Sequence, residues 1–262
     1  MSTFKRYWLW SVIVLVGMTA LLLAPGGFVT NSRLLLHGLC AQTPGHTFTF
    51  GGHLLPFDAR MTGIYSGAGV TLLYLAMRGR WLCEDKPALP YLLALLVLLA
   101  SMALDGTNSF LTDIGAWHPW QTTNTSRLVT GYGAGMAIAV VLVWLVAGTV
   151  WQLAEPAPAI RSWGDLMVPL AGLPFIGLVL WWAPAWLYVP VALFLALSAW
   201  LVVSIIVLTA VLLVTRKDDA IVARPQMHIP GALAALLGLM VIILLASGRR
   251  WLETSLGIPS NL

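Results

Sequence analysis

Seven long apolar runs, separated by short polar breaks, set the pattern of this chain. They lie at roughly Tyr7–Leu23, Thr62–Met77, Ala88–Leu104, Leu128–Leu153, Leu166–Trp182, Leu187–Val214 and Ile229–Ser247. About 20 mostly apolar residues are enough to cross a bilayer as a helix. The pattern therefore predicts an all-α, polytopic transmembrane helix bundle of about seven spans. The second run is short and rich in small residues, and the sixth is long enough to tilt or protrude. The first follows Lys5-Arg6, as a signal peptide would. It lacks a small-x-small cleavage site and further spans follow, so it reads as an uncleaved first helix.

Composition agrees with this reading. Of the 262 residues, 59% are hydrophobic and 9% charged, and the mean hydropathy is +0.87, which is outside the range of soluble domains. The net charge of +4 is then a matter of topology, not of nucleic-acid binding. With the N-terminus cytoplasmic, Lys5, Arg6, Arg78, Arg80, Lys86, Arg161, Arg216, Lys217 and Arg224 lie inside. Arg33, Arg60, Arg127, Arg249 and Arg250 lie outside, with Arg249-Arg250 as the main contrary signal. The expected setting is a bacterial plasma (inner) membrane, crossed several times. The segments Pro25 to Met61 and Asp105 to Arg127 face outward and hold most of the polar chemistry. Residues 1–153 form a four-span core and 154–262 a three-span extension. Cys40 and Cys83 fall on opposite sides of about 30 Å of hydrocarbon, too far apart for a disulfide.

Three groups of polar residues are candidates. Cys40, His46, His53 and Asp58 are of types that zinc and similar metals accept, yet no tight ligand pair is present. Capping of helices and loops by the same residues is the plainer reading. Asp58 and Arg60 stand at the mouth of the second span. They form an ion pair there, or are simply solvated at the interface, or present Arg60 to an anionic headgroup or a phosphate-bearing ligand. Asp105 ends one span, and Asn124 and Arg127 open the next. They either tie two helix ends together as an Asp105–Arg127 pair or join Arg60 in one polar pocket.

Glycine spacing bears on that choice. Gly63-x-x-x-Gly67 and Gly131-x-x-x-Gly135 stand at the outer ends of the second and fourth spans, where small residues four apart allow close helix approach. If these faces meet, Arg60 and Arg127 come together and repel, unless a bound anion or the carboxylates of Asp58 and Asp105 lie between them. The tryptophans cluster near span ends as an interfacial belt, with a pigment or quinone site as the minor alternative. Pro169 and Pro174 are expected to kink the fifth span.

The stretches Cys40-Ala41-Gln42-Thr43-Pro44-Gly45-His46-Thr47-Phe48, Leu55-Pro56-Phe57-Asp58-Ala59-Arg60-Met61-Thr62-Gly63-Ile64-Tyr65, Asp105-Gly106 and Asn124-Thr125-Ser126-Arg127-Leu128-Val129-Thr130-Gly131 resemble a known family. It is the group of prokaryotic membrane proteins known as the domain of unknown function numbered two thousand and eighty-five. That family shows a Cys-His pair, then Leu-Pro-Leu-Cys-Ala-Arg-Cys-Thr-Gly-Ile-Tyr, Asp-Gly and Asn-x-x-Arg-x-x-Thr-Gly. The resemblance covers roughly Leu34 to Gly135. This chain has Ala41 for the family's histidine, and Asp58 and Met61 for its clustered cysteines. The resemblance implies a retained arginine, carboxylate and glycine framework without the thiol set, and it carries no activity.

Three functions remain open. The first is an outward-facing site of Arg60, Asp105, Asn124, Arg127 and Asp58 for an anionic headgroup, a lipid-linked phosphate or a metal. The second is a non-catalytic subunit of a larger respiratory or photosynthetic membrane complex. The third, a membrane enzyme, ranks last, because Asp58, His46, His53 and Cys40 stand in no recognised triad. The bilayer and other membrane subunits are the expected partners, and no cofactor is identified.

Overall fold

The computed structural model describes residues 3–152, 154–215, 221–222 and 224–262, with the backbone alone at 3–7, 20, 224 and 225. Of the expected charge markers, Arg216 and Lys217, and the side chains of Lys5, Arg6 and Arg224, lie outside the described residues, as does the boundary residue Leu153.

The chain folds as an all-helical polytopic bundle. Its helices are α1 (Thr3–Leu23), α2 (Gly27–Leu36), α3 (Ala59–Met77), α4 (Leu89–Asp113), α5 (Asn124–Val150), α6 (Gly164–Leu170), α7 (Gly172–Trp182), α8 (Tyr188–Thr215) and α9 (His228–Leu256). Strands β1 (Thr49–Phe50) and β2 (His53–Leu54) pair antiparallel, and β3 (Cys83–Asp85) and β4 (Glu155–Pro158) pair parallel. Five stretches are long and apolar enough to cross a membrane: Leu89–Asp113, Asn124–Val150, Gly164–Trp182, Ala185–Thr215 and His228–Leu256. Trp8–Leu23 and Gly27–Leu36, bent by 118°, make a sixth if counted as one. Helix α3 has 19 residues, but Arg60, Ser66, its two threonines and its three glycines keep it below the same hydropathy. Many large apolar side chains on α4 and α9, such as Leu93, Leu96, Val97, Leu233 and Leu244, are exposed, as lipid-facing positions should be.

Local chemistry sets where the helices begin and break. Asp58 caps α3, its carboxylate accepting from the Met61 N–H at 2.9 Å, which satisfies one of the free donors of the first turn. Thr123 and Ser126 form a reciprocal capping box at α5. Pro169 lies inside α6, and the helical hydrogen bonding is interrupted at Ala171 between α6 and α7. The Pro169 carbonyl accepts from the Tyr132 hydroxyl at 2.7 Å, so the break leaves that acceptor satisfied within the bundle.

Most of α5 is buried, and α3, α4 and α8 pack around it. One end of the bundle gathers the loop between α2 and α3, the start of α3, the end of α4 and the start of α5. The end of α9 joins them there: Arg249 donates to the carbonyls of His37 at 2.9 Å and Cys40 at 2.5 Å. The opposite end carries the β3–β4 pair and the ion pair of Arg80 with Asp165 at 2.6 Å.

Candidate functional site

Helices α3 and α5 touch through glycine. A Cβ built on Gly63 would strike the Leu128 carbonyl, and one on Gly67 the Tyr132 carbonyl. One on Gly131 would strike the Arg60 carbonyl, and one on Gly135 the Ile64 carbonyl. The two backbones therefore lie in direct contact with no room for a Cβ between them, the geometry that small residues four apart permit in a membrane. Arg60 lies against Gly131, one helical turn from Arg127. The glycine contact thus sets two arginines side by side at one end of the bundle.

Their partners differ. Arg60 Nη2 meets the Asp105 carboxylate at 2.8 Å and its carbonyl at 3.3 Å. The Asp105 side chain is 4% exposed and that of Arg60 23%, so this pair is largely desolvated. Asp105 also accepts from the Thr130 hydroxyl at 3.4 Å. Arg60 Nε is buried without a hydrogen-bond partner.

Arg127 is a buried residue held by neutral groups. Its guanidinium donates to Asn124 Oδ1 at 3.1 Å and Ser109 Oγ at 2.8 Å, and it lies 3.1 Å from His46 Nε2. Among the described residues no carboxylate comes within ion-pair distance of it. Arg60, Asp113, Asp105 and Asp58 are the charges that act on it. His46 Nε2 also lies 3.6 Å from the half-exposed Asp113, and it can accept from Arg127 only while it carries no proton of its own.

Two expected pairings are corrected. Asp105 does not tie to Arg127. Helix α4 runs on to Asp113 instead of ending at Leu104, so Asp105 sits two turns inside it and faces Arg60, while Ser109, one turn further on, faces Arg127. Asp58 does not pair with Arg60 either. Its carboxylate is used by the α3 cap and by the Cys40 thiol, which donates to it at 3.2 Å.

Cys40, His46 and His53 are not brought together. Cys40 is at Asp58, His46 at Arg127 and Asp113, and His53 is exposed against the edge of Tyr188, with ring centres 6.2 Å apart. Among the described residues no group of three or more His, Cys, Asp and Glu is placed to hold a metal ion. Burial first, and the negative Asp58 second, push the Cys40 thiol up to about 12. Burial likewise raises the Cys83 thiol, offset in part by its hydrogen bond from Arg161. Both cysteines are free and buried, and a neutral thiol is a poor nucleophile.

Sequence reasoning placed Thr130 near this cluster without a partner for it, and missed Ser109. Ser109 stands four residues after Asp105 and Thr130 three after Arg127, so helical spacing places each on its neighbour's face. It also missed the buried His37, Gln42 and Glu253 with the half-buried Arg249 beside them, a set in which His37 Nε2 lies 2.8 Å from Glu253. No local signal links residues 216 apart in the chain.

The model of a family described as "Predicted membrane protein (DUF2085)" matches residues 40–141. An uncharacterized protein of Methanothermobacter thermautotrophicus is 33% identical over 102 residues, which is 39% of this chain and 82% of that relative. No solved structure matches. The matched region contains the whole of the Arg60, Asp105 and Arg127 cluster and ends in the middle of α5.

Proposed function

The chain belongs to the DUF2085 family of predicted membrane proteins, and from that premise we propose that the Arg60–Asp105–Arg127 cluster binds a phosphate-bearing anion, either a lipid headgroup or a lipid-linked phosphate. The observation that carries this reading is the buried guanidinium of Arg127, which has neutral partners only. A buried charge without a counter-charge is costly, and the positive Arg60 beside it adds to that cost. An anion bridging the two arginines would relieve both. Asp105 forms its ion pair with Arg60, and no carboxylate among the described residues forms one with Arg127.

Arginine suits the task, because its planar fork binds phosphate oxygens in pairs. The same two cations disfavour a metal at this place. The side proposed is the outward one, on the positive-inside argument that puts Arg78, Arg80, Lys86 and Arg161 in the cytoplasm. The role proposed is binding, as part of transport or of lipid handling.

Thermal unfolding in mild detergent tests the reading. Inorganic phosphate at constant ionic strength should raise the midpoint of the wild-type chain, with a gain on the order of 2.7 kcal/mol at a hundred times the Kd. Arg127→Gln should lose that response while remaining helical and monodisperse. An equal response in both chains would overturn the assignment. A stoichiometric partner chain, co-purified equally with wild type and Arg127→Gln, would favour the subunit reading instead.

A further inference from the structure

A second basic site lies at the opposite end of the bundle. Helix α3 ends at Met77, and just beyond it Gly79 turns the chain with a φ of 72°, the left-handed value that glycine adopts without strain. That turn sets Arg78 and Arg80 on either side of a polar cavity of about 450 Å³, completed by Glu155 and Arg161. Two of the three arginines are neutralised in place. Arg80 pairs with the buried Asp165 at 2.6 Å, and Arg161 pairs with Glu155 at 2.7 Å. Arg78 is exposed, its N–H closes the last turn of α3 on the Tyr74 carbonyl, and its guanidinium makes no hydrogen bond or ion pair among the described residues. The cavity therefore keeps one uncompensated positive charge.

Gly79 also lines a neighbouring, mostly apolar cavity of about 320 Å³ with Trp10, Trp81, Trp151 and Met227. The same tryptophans and Met227 line a third, of about 260 Å³, which continues between α8 and α9 past Leu201, Ile205 and Ala234. A polar chamber with a charge of plus one thus adjoins an apolar groove that runs into the membrane-spanning part of the bundle. Tyr91 and Trp163, stacked edge to face with ring centres 5.2 Å apart, stand beside Arg161, which donates nothing to them but offers its carbonyl to the Tyr91 hydroxyl at 3.4 Å. Such aromatic side chains are at home at headgroup level.

We propose that this end of the bundle holds one acidic phospholipid, with its phosphodiester between Arg78, Arg80 and Arg161 and an acyl chain in the Trp10–Trp81–Trp151 groove. The singly charged phosphodiester matches the single uncompensated cation, and Arg78 is the residue that selects the charge. The apolar groove beside the cavity favours a lipid over free phosphate. Basic pockets between membrane helices on the cytoplasmic side are established places for such headgroups.

Native mass spectrometry of the full chain in mild detergent tests this. Phosphatidylglycerol and phosphatidylcholine of the same chain length are added separately, and inorganic phosphate is added as a competitor. The wild-type chain should retain phosphatidylglycerol about fivefold better than phosphatidylcholine, and millimolar phosphate should not displace it. Arg78→Gln should remove the preference, and Arg78→Lys should keep it. The Arg78 guanidinium has no partner among the described residues to lose, so these variants should unfold at the wild-type temperature. Arg127→Gln, at the other end, should keep the preference, which separates this site from the anion site proposed above. Equal retention of the two lipids by the wild type, an unchanged preference in Arg78→Gln, or displacement by phosphate would overturn the proposal.

Discussion

Arg60 and Asp105, from the first turn of α3 and the interior of α4, meet at 2.8 Å with the carboxylate almost wholly out of contact with solvent. Neither residue is tolerable alone at that depth, since an ionised group there without a partner keeps its desolvation cost. Arg60→Gln should destabilise the protein by about 3 kcal/mol, the lower end for a buried pair because Arg60 is partly exposed. Asp105→Asn added to Arg60→Gln should recover more than half of the loss. Thermal unfolding of the four chains of that cycle in one detergent checks this. An additive result would mean that the two side chains do not act as a pair.

The glycine contact between α3 and α5 makes a prediction of opposite signs. Gly63→Ala and Gly135→Ala each press a methyl group into a backbone carbonyl of the facing helix. They should cost about 1–3 kcal/mol each, as overpacking does. Gly148 lies on α5 with nothing within 4 Å of a built Cβ. Gly148→Ala should stabilise by about 0.5–1 kcal/mol through helix propensity. The three midpoints, measured side by side, should fall on either side of the wild type. Equal effects at all three positions would show that α3 and α5 do not meet through these residues.

Sequence periodicity was enough for the helical bundle and for the end at which Arg60, Asp105, Asn124 and Arg127 gather, because runs of apolar residues and helix-end charges are local properties of the chain. The pairings were harder to read. Which carboxylate faces which arginine depends on how far α4 continues past Leu104, and Asp105-Gly106-Thr107-Asn108-Ser109 looks like the end of a span. It stays helical because α5 supplies partners, Arg127 for Ser109 and Thr130 for Asp105. The contact of α9 with the loop between α2 and α3 was invisible for a different reason. Arg249 counts as a stray positive charge in a topology argument, whereas in the fold it is neutralised by Glu253 at 2.8 Å. Arg80 and Asp165, in loops that look unremarkable, pair across 85 positions of sequence, and no short-range spacing announces such a contact.

The Cys40 thiol should be nearly inert at neutral pH. Its value moves from the ordinary 9.0 to about 12, so at pH 8 the thiolate fraction is about a thousandfold below that of an exposed cysteine. Alkylation of a Cys83→Ser chain by iodoacetamide reports on Cys40 alone and should be correspondingly slow until the protein is unfolded. Asp58→Asn should speed it only in part, because burial is the larger cause and the negative charge the smaller. The sign for stability follows. The unfolded thiol ionises near 9 and the folded one near 12, so the contribution is whole below pH 9 and is lost as the pH rises towards 12. Rapid labelling of the folded chain at pH 8 would contradict the buried, neutral thiol.

The anion site can be tested most directly by equilibrium binding of a phosphate monoester to the purified chain, with dodecyl phosphate for a lipid-linked group and inorganic phosphate for a free one. Calorimetric titration of wild type, Arg127→Gln and Arg127→Lys, each against both probes, separates the possibilities. The expected result is one saturable site in the wild type, tighter for dodecyl phosphate than for inorganic phosphate, weakened in Arg127→Lys and lost in Arg127→Gln. Binding of both probes by Arg127→Gln with wild-type affinity, or no saturable binding by the wild type, would contradict a phosphate site at Arg60 and Arg127.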